Sequence, residues 1–345
     1  MKKILSFTLA TCMASSMFVF SACTPGRVDG AVKGNYTELN ATNQEQAMAE
    51  ITAFESNVNN AGGLVGDTSQ AGWTFGVSAL ADLEIKYDMG TDEMPEEAEI
   101  DLHAGFKLQF FQKEDAMDMK GALNFSARTR GESMALGLSP EIVKTDYRLQ
   151  GNAYIEDLYT YIGLTSSGTM DGEAIPDDEK EIYRKISVGD LMGTLGGMMP
   201  ELPTPDVGDV DTAGIVSMVQ TLQEAGLNVA YELNSKSGLK LKASVTRDML
   251  MELFSSMMEG AGETAYMTMQ TLPVNFDEAK VDFYVVIGTT GLLEQISFDV
   301  DVDINIMDEM SIEIEGGVLI KVGSDIVVNN IPQGLKDDAK YQEMQ

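Results

Sequence analysis

The sequence has few basic residues. Lys and Arg total 23 against 55 Asp and Glu, so the 345-residue chain carries a formal net charge of −32. A surface with this excess of negative charge repels phosphate backbones and anionic lipid headgroups. We therefore expect neither nucleic-acid binding nor electrostatic adsorption to a membrane.

Cysteine and histidine are almost absent. The two cysteines both lie within the first 23 residues, and His103 is the single histidine. Zinc and copper(II) sites of the usual kinds need several imidazoles or thiolates, which this chain cannot supply. No G-x-S-x-G segment provides a nucleophilic serine to accompany His103. We expect no metal, no cofactor and no enzymatic activity, and we expect His103 to lie at the surface of a half-exposed strand.

The N-terminal segment has the order of a secretion signal. Two lysines precede the apolar stretch Ile4–Phe20, and the small residues Ser21 and Ala22 precede Cys23. The stretch is shorter than the roughly 20 apolar residues of a membrane-spanning helix. Residues 1–22 are therefore predicted to be a signal peptide that is removed from the mature protein.

Phe20-Ser21-Ala22-Cys23 resembles the lipobox of bacterial lipoproteins. The resemblance implies cleavage before Cys23, acylation of its thiol and attachment to the extracytoplasmic side of the cell membrane, or to the outer membrane if the cell has one. An ordinary secretory peptide that leaves Cys23 unmodified is the alternative. Residues 23–41 contain few large apolar groups and are predicted to be a flexible tether.

The remaining chain is apolar enough to fold, because 44% of all residues are hydrophobic. We predict one domain over residues 42–335, a C-terminal tail over 336–345 and a monomer. Helices are predicted near residues 42–58, 212–226 and 246–259 from apolar residues at helical spacing. About ten strand-like segments are separated mostly by short turns, which favours antiparallel neighbours.

The clearest strand pattern lies in the last third of the chain. Apolar residues from Ile296 to Ile306 alternate with Ser297, Asp299, Asp301, Asp303 and Asn305. This alternation predicts one buried and one solvated face, so the three aspartates are interpreted as surface residues rather than calcium ligands. Asp206, Asp209 and Asp211 are the better calcium candidates, although acidic residues before a helix are also expected from the helix dipole.

Methionine is abundant, with 23 residues. Several lie in the Gly- and Pro-rich segment 186–205 and in the predicted helix 246–259. Three interpretations remain open: core filling, adaptable lining of a ligand site, and Cu(I) binding. The second predicts a cavity that binds an apolar ligand, with lining residues Met192, Leu195, Met198, Met249, Phe254 and Met257.

The opening helix, the long antiparallel sheet interrupted by helices and the closing strands from Thr290 to Val302 resemble the LolA/LppX/LprG group of lipid-carrying lipoproteins. Ile326-Val327-Val328-Asn329-Asn330-Ile331-Pro332 is similar to the short strand and Ile-Pro ending of such proteins. The resemblance implies an α+β fold, a strongly curved antiparallel half-barrel with about three helices on its concave side. It also implies a lipid or acyl-chain ligand. A structural lipoprotein without a small ligand, whose acidic face binds a basic partner, is the alternative function.

Overall fold

Long antiparallel strands dominate the protein, as the alternating segments predict. The computed structural model describes residues 28–58, 74–88, 96–113, 116–135, 141–156, 159–170, 172–187, 214–250, 274–275, 279–306, 310–329 and 341–343. Within these ranges the helices are α1 (Gln44–Val58) and α2 (Ile215–Glu224), and residues 247–250 form a further helical segment. The predicted α+β class is confirmed.

Fifteen strands lie within the described ranges, and all belong to one sheet. In chain order they are β1 Thr37–Glu38, β2 Thr74–Asp88, β3 Glu96–Lys113, β4 Ala116–Ala135, β5 Glu141–Glu156, β6 Tyr159–Met170, β7 Glu173–Ala174, β8 Glu181–Ser187, β9 Asn228–Asn234, β10 Gly238–Ser244, β11 Val274–Asn275, β12 Lys280–Ile287, β13 Leu293–Ile306, β14 Met310–Gly323 and β15 Gln342–Glu343.

The strand order is β1-β9-β10-β12-β13-β14-β2-β3-β4-β5-β6-β8-β15, with β11 beside β13 and β7 beside β6. Each pair is antiparallel except β8 and β15, which are parallel. The sheet therefore consists of two meanders, β2–β8 and β9–β14, that meet where β14 pairs with β2. Because β1 and β15 end the order, the sheet is open, and the predicted curved half-barrel is confirmed.

Strand register gives the sheet one apolar and one polar face, because directly paired residues lie on the same face. We call these the apolar face and the polar face. One row of the apolar face crosses eleven strands in unbroken register: Val229, Ala243, Phe283, Phe298, Val318, Ala81, Ala104, Phe125, Gly151, Leu164 and Ile182.

Within the described residues, helices cover the apolar face only over the β9–β12 end of the sheet. Ile51 of α1 and Val219 of α2 pack with Leu239 and Leu241 of β10, and all four side chains are at most 1% exposed. Burying apolar side chains of this size stabilises the fold by roughly 1.5–3 kcal/mol each. A second cluster joins Leu250 to the apolar face of β12 and β13. This end of the sheet is the core of the described protein.

The polar face at the same end is covered by residues 28–38, which we call the strap. The Val28 N–H donates to Asp82 Oδ2 on β2 at 3.2 Å, and the Tyr36 ring lies 6.1 Å from the Tyr284 ring on β12. The strap then pairs with β9 as strand β1. It therefore crosses the polar face from β2 to the edge of the sheet, after which the chain continues into α1 on the opposite face.

The strap lies very close to the strand backbones beneath it. A Cβ atom added to Gly317 of β14 would lie 2.5 Å from the Val28 carbonyl oxygen and 2.9 Å from the Gly30 nitrogen. The Lys240 ammonium donates to the Lys33 carbonyl oxygen at 2.9 Å. Gly317 lets the strap make this contact, since any side chain there would push the strap away.

These contacts correct two expectations. The predicted tether included residues 28–41, yet residues 28–38 lie on the sheet, because backbone hydrogen bonds and Tyr36 compensate for the shortage of large apolar groups. The polar side of β13 was expected to be solvated, but Ser297 is only 1% exposed beneath the strap. A period-two pattern predicts which residues share a face, not whether another segment covers that face.

Two expectations near the C-terminus also change. Residues 326–329 form no strand; the Val328 N–H instead donates to Gln109 Oε1 at 3.0 Å, and Val328 is buried. Within the predicted C-terminal tail, Gln342–Glu343 forms β15 against β8, and the Tyr341 ring packs edge-on against Tyr161 and Tyr183. Aromatic packing explains why part of the tail belongs to the sheet.

Candidate functional site

The part of the apolar face on β2–β6 differs from the part beneath the helices. We call it the open apolar face. Most of its side chains are half-buried, although Ala79, Ala153 and Thr160 are buried, and within the described residues no segment outside the sheet packs over them. They include Leu83, Leu102, Phe106, Leu123, Phe125 and Leu149. This is an extended surface of side chains that would be more stable out of water.

The open apolar face contains almost no charge. Register places only apolar, small or uncharged polar residues on it between residues 75 and 87 of β2, 98 and 110 of β3, 119 and 133 of β4, and 143 and 155 of β5. Beyond these bounds, register places three charged residues on the same face: Glu96 at the end of β3, Glu141 at the end of β5, and Arg184 of β8, which pairs with Ile162 of β6. A solvated sheet face would alternate in charge instead. The composition of this surface is that of a binding or packing surface.

Small residues give the open apolar face an uneven surface. Ala81 and Ala104 stand side by side next to the Phe125 ring, which packs against Gly151. Rows of small residues beside large rings leave shallow room for another apolar group. This arrangement could hold a flexible apolar chain without a specific polar contact.

The predicted cavity residues can be placed only in part. Met249 is half-buried and lies beside Gly226 at the end of α2, where a Cβ atom on the glycine would be 3.7 Å from the methionine sulfur. It therefore packs at the helix-covered end rather than on β2–β6. The other predicted lining residues lie outside the described ranges: Met192, Leu195, Met198, Phe254 and Met257. Cys23, Asp206, Asp209 and Asp211 also lie outside them.

Sequence reasoning missed the residues of the open apolar face. Their signal is present, since β3 alternates Ile100, Leu102, Ala104, Phe106 and Leu108 with charged and polar residues. The methionine-rich segments stand out by their composition. The open apolar face stands out only when the pairing register of the strands is known. Register between strands that are distant in sequence, such as β14 and β2, needs the structure.

His103 belongs to a polar row that includes Asp82 and Ser126 on the neighbouring strands. His103 Nδ1 lies 2.7 Å from Asp82 Oδ1, and the imidazole is 42% exposed, as expected for a half-exposed strand. Among the described residues, His103 makes no hydrogen bond to the Ser126 hydroxyl. Ser126 also lies in a strand paired on both sides, so neighbouring N–H groups are committed to the sheet and offer no oxyanion site. The row orients a histidine without building a hydrolytic centre.

Acids and bases alternate on the polar face of β2–β5. Arg128 forms a bidentate pair with Asp146 at 3.0 Å for both contacts. Arg130 lies 2.6 Å from Glu99 and 3.3 Å from Asp101. The Arg128 guanidinium, through its hydrogen bonds, holds the pKa of Asp146 below its usual value. These pairs neutralise part of the acidic surface.

Two further groups of charged side chains lie on the polar face of β2–β5 or at its border. Glu84, Glu99 and Asp101 bring carboxylate oxygens within 4.8 Å of one another, although Arg130 already pairs with two of them. A depression of about 570 Å³ at the strand ends is lined by charged side chains, among them Lys86, Arg130 and Lys144. Neither feature resembles the apolar cavity expected from the sequence.

Among the described residues, the most buried charge is Asp282 on β12, whose side chain is 3% exposed. It accepts hydrogen bonds from Ser244 at 2.6 Å and Tyr284 at 3.1 Å, and it lies 3.0 Å from the Lys242 ammonium. Burial alone would raise the pKa of Asp282, but these hydrogen bonds and the charges of Lys242 and Lys280 hold the pKa below its ordinary value. Burial and the charges of Glu232 and Asp282 raise the pKa of Tyr36 to about 12. The cluster is a structural joint between strap and sheet.

Comparisons with known proteins add little to this geometry. No protein-family model matches the chain, and no curated protein matches it. Among solved structures, a beta-barrel-like protein of domain of unknown function DUF1849 from Brucella abortus shares 9% identity with the chain, at a TM-score of 0.13. The match covers 71% of this chain and 97% of that one. Within the described ranges no helix has the length and hydropathy needed to cross a bilayer.

Proposed function

We propose that this chain is an extracytoplasmic lipoprotein, anchored through acylated Cys23, that binds a lipid or another acyl-chain ligand against the open apolar face. One observation carries the proposal: an uncharged, half-buried surface on five long strands without a described covering element. Each methylene of a ligand buried there would contribute about 0.8 kcal/mol. Met192, Leu195, Met198, Phe254 and Met257 remain proposed contributors to the ligand surface.

The alternative is a lipoprotein whose acidic face captures a basic partner. The polar face supports this less well, because Arg128, Arg130 and Lys86 already pair with the acids beside them. A basic partner would have to compete with those internal pairs. Partner capture that weakens steeply with salt, in a protein that retains no apolar ligand, would favour the alternative.

Native mass spectrometry tests the ligand proposal on the soluble form that begins at Thr24. The wild-type protein should retain added palmitate or phospholipid as a mass adduct. Ala127→Trp places a large ring on the open apolar face and should reduce the bound fraction. Ser126→Trp, the neighbouring position on the polar face, is the matched control and should leave binding unchanged.

Both variants should retain the wild-type circular dichroism spectrum and unfolding midpoint. Equal loss of ligand in both variants would indicate a general folding defect and would not support a surface specific to the apolar face. A wild-type protein that binds neither palmitate nor phospholipid would refute the carrier function. Anchoring is tested separately, by the mass of the membrane-derived N-terminal peptide and its loss in Cys23→Ser.

A further inference from the structure

The strap fixes the place where the chain enters the sheet. Val28 lies over the middle of the polar face, since its N–H donates to Asp82 and its carbonyl lies against Gly317. Asp82 is six residues from one end of β2 and eight from the other. The described chain therefore begins over the interior of the polar face and not at a border of the sheet.

The distance from Val28 to the proposed anchor is short. Val28 lies five positions after Cys23, and five extended residues span at most about 18 Å. Six strand spacings separate β2 from either edge strand, roughly 29 Å at about 4.8 Å per spacing. The ends of β2 lie at least about 20 Å from Asp82 along the strand. The Cys23 backbone thus cannot pass around the sheet to the apolar face while the strap stays bound.

From this geometry we propose that the strap holds the polar face towards the membrane that carries Cys23, so that the open apolar face is directed away from that membrane. The inference depends on the acylation of Cys23 in the proposed function but not on ligand binding. The protein then presents its apolar surface to a ligand or partner arriving from the opposite side. The apolar face therefore does not contact the bilayer in which Cys23 is anchored.

The charges of the polar face are compatible with this orientation. Three of the six arginines of the chain, Arg128, Arg130 and Arg148, lie on two adjacent strands of this face. Arg128 and Arg130 also pair with nearby acids. Repulsion from anionic headgroups is therefore weaker here than a net charge of −32 would suggest.

Fluorescence energy transfer in proteoliposomes tests the orientation with the full lipidated protein. Single cysteines are introduced at adjacent positions on opposite faces, Ser126→Cys and Ala127→Cys, and labelled with a donor dye. Acylated Cys23 leaves no competing thiol in the mature chain. With a headgroup-labelled acceptor lipid, the donor at 126 should lie nearer the bilayer by about 10 Å, the spacing of one sheet layer.

A second pair on β5, Gln150→Cys on the polar face and Leu149→Cys on the apolar face, repeats the measurement if a substitution at 126 or 127 prevents folding. Inserting a flexible Gly/Ser spacer of about 20 residues before Val28 adds a mean reach of about 25 Å and should abolish the difference. Equal transfer from both faces without the spacer, or stronger transfer from the apolar face, would overturn the proposal.

Absence of acyl groups from Cys23, measured by mass spectrometry on the same preparation, would also overturn it by removing the anchor. That result would leave ligand binding by the soluble form untouched, because the native mass measurement does not involve the anchor. Failure of the orientation and failure of the carrier function therefore give different results.

Discussion

Asp282 is a buried charge on the polar face of the sheet, and its partner Tyr284 packs against Tyr36 of the strap. Its carboxylate is surrounded by Ser244, Tyr284, Lys242 and Lys280, so its desolvation is compensated by hydrogen bonds and opposite charge. Removing one member of such a set leaves the others desolvated without a partner. The residue therefore matters more to stability than the many other acids of this chain.

Asp282→Asn should lower the free energy of unfolding by about 2–3 kcal/mol, because Lys242 would lose its charged partner. Asp301→Asn is the control: Asp301 lies on the same face of the next strand but is exposed, and the change should stay within about 0.5 kcal/mol. Urea unfolding followed by circular dichroism measures both. Equal destabilisation of the two variants would contradict the role assigned to the cluster.

The same carboxylate predicts a dependence on pH. Because the pKa of Asp282 is held below its ordinary value of 3.8, its stabilising effect is complete above that value and is lost as pH falls through the lower folded-state pKa. The difference in stability between wild type and Asp282→Asn should therefore be constant from pH 7 to about pH 5 and shrink below pH 4. Urea midpoints of both proteins at pH 7, 5 and 3 test this; a difference that grows in acid would refute it.

Single-residue properties were only partly predictable. The exposed strand position of His103 follows from its neighbours in sequence, and the structure confirms it. The burial of Asp282 and Ser297 does not, because it arises from the strap, which belongs to a segment without large apolar groups. Contacts between residues 28–38 and strands about two hundred positions away leave no local pattern.

At the scale of elements, two glycines end regular structure by adopting positive φ. Gly226 has φ +88° after α2, and Gly238 has φ +78° at the turn between β9 and β10. Glycine suits both places, because it accepts this conformation without steric cost. Their surroundings differ: a Cβ atom on Gly226 would make only an ordinary van der Waals contact with the Met249 sulfur at 3.7 Å, whereas the Ile287 and Gly288 backbone lies against Gly238.

Alanine substitutions should separate backbone strain from collision. Gly226→Ala should cost about 1 kcal/mol of unfolding free energy, since only the strained φ opposes the new methyl group. Gly238→Ala should cost more, roughly 2–3 kcal/mol, because the methyl group would also meet the β12 backbone. Chemical denaturation measures both; a larger cost at Gly226 would contradict this assignment.

Most helices and strands could be predicted from the spacing of their apolar residues. Their boundaries could be predicted less well. The opening helix, the β9–β10 hairpin and the closing strands agree with their segments in sequence. The strand β8 was missed because it is short and because the adjacent basic residues Arg184 and Lys185 interrupt its apolar residues, beside a Gly- and Pro-rich stretch. The expected strand over residues 326–332 was wrong within its described part, where Val328 bonds to a side chain instead of a strand.

For the whole molecule, net charge is the property most open to test. A charge of −32 disfavours the compact state through self-repulsion, which salt screens as the Debye length falls from about 30 Å at 0.01 M to about 8 Å at 0.15 M. Screening of surface ion pairs such as Arg128–Asp146 costs little stability, since each pair contributes less than about 1 kcal/mol. We expect the protein to gain on the order of 1 kcal/mol of stability across this range.

Thermal and urea unfolding in 0.01 M and 0.15 M sodium chloride measure the effect. Choline chloride at equal ionic strength is the control and should act equally if screening is the cause. A loss of stability with added salt would mean that the ion pairs of the polar face outweigh the excess of acids.

The α+β class and the open antiparallel sheet could be predicted because alternation, short turns and amphipathic helices all favour the same architecture. The open apolar face could not be predicted, because it depends on which strands the helices pack against, and the sequence does not show this. α1 and α2 reach the β9–β12 end, so the remaining strands keep an apolar side without a described covering element.

The junction of the two meanders has a consequence for biosynthesis. β2 forms early in the chain, but its partner β14 is among the last strands to be made, whereas the hairpins within each meander need only neighbouring sequence. Contacts between such distant segments form slowly. Until the ribosome has delivered nearly the complete polypeptide, one side of β2 lacks a neighbour, and an unpaired strand of this length invites self-association. Secretion in an unfolded state, followed by closure of this seam after release, would shorten that exposure.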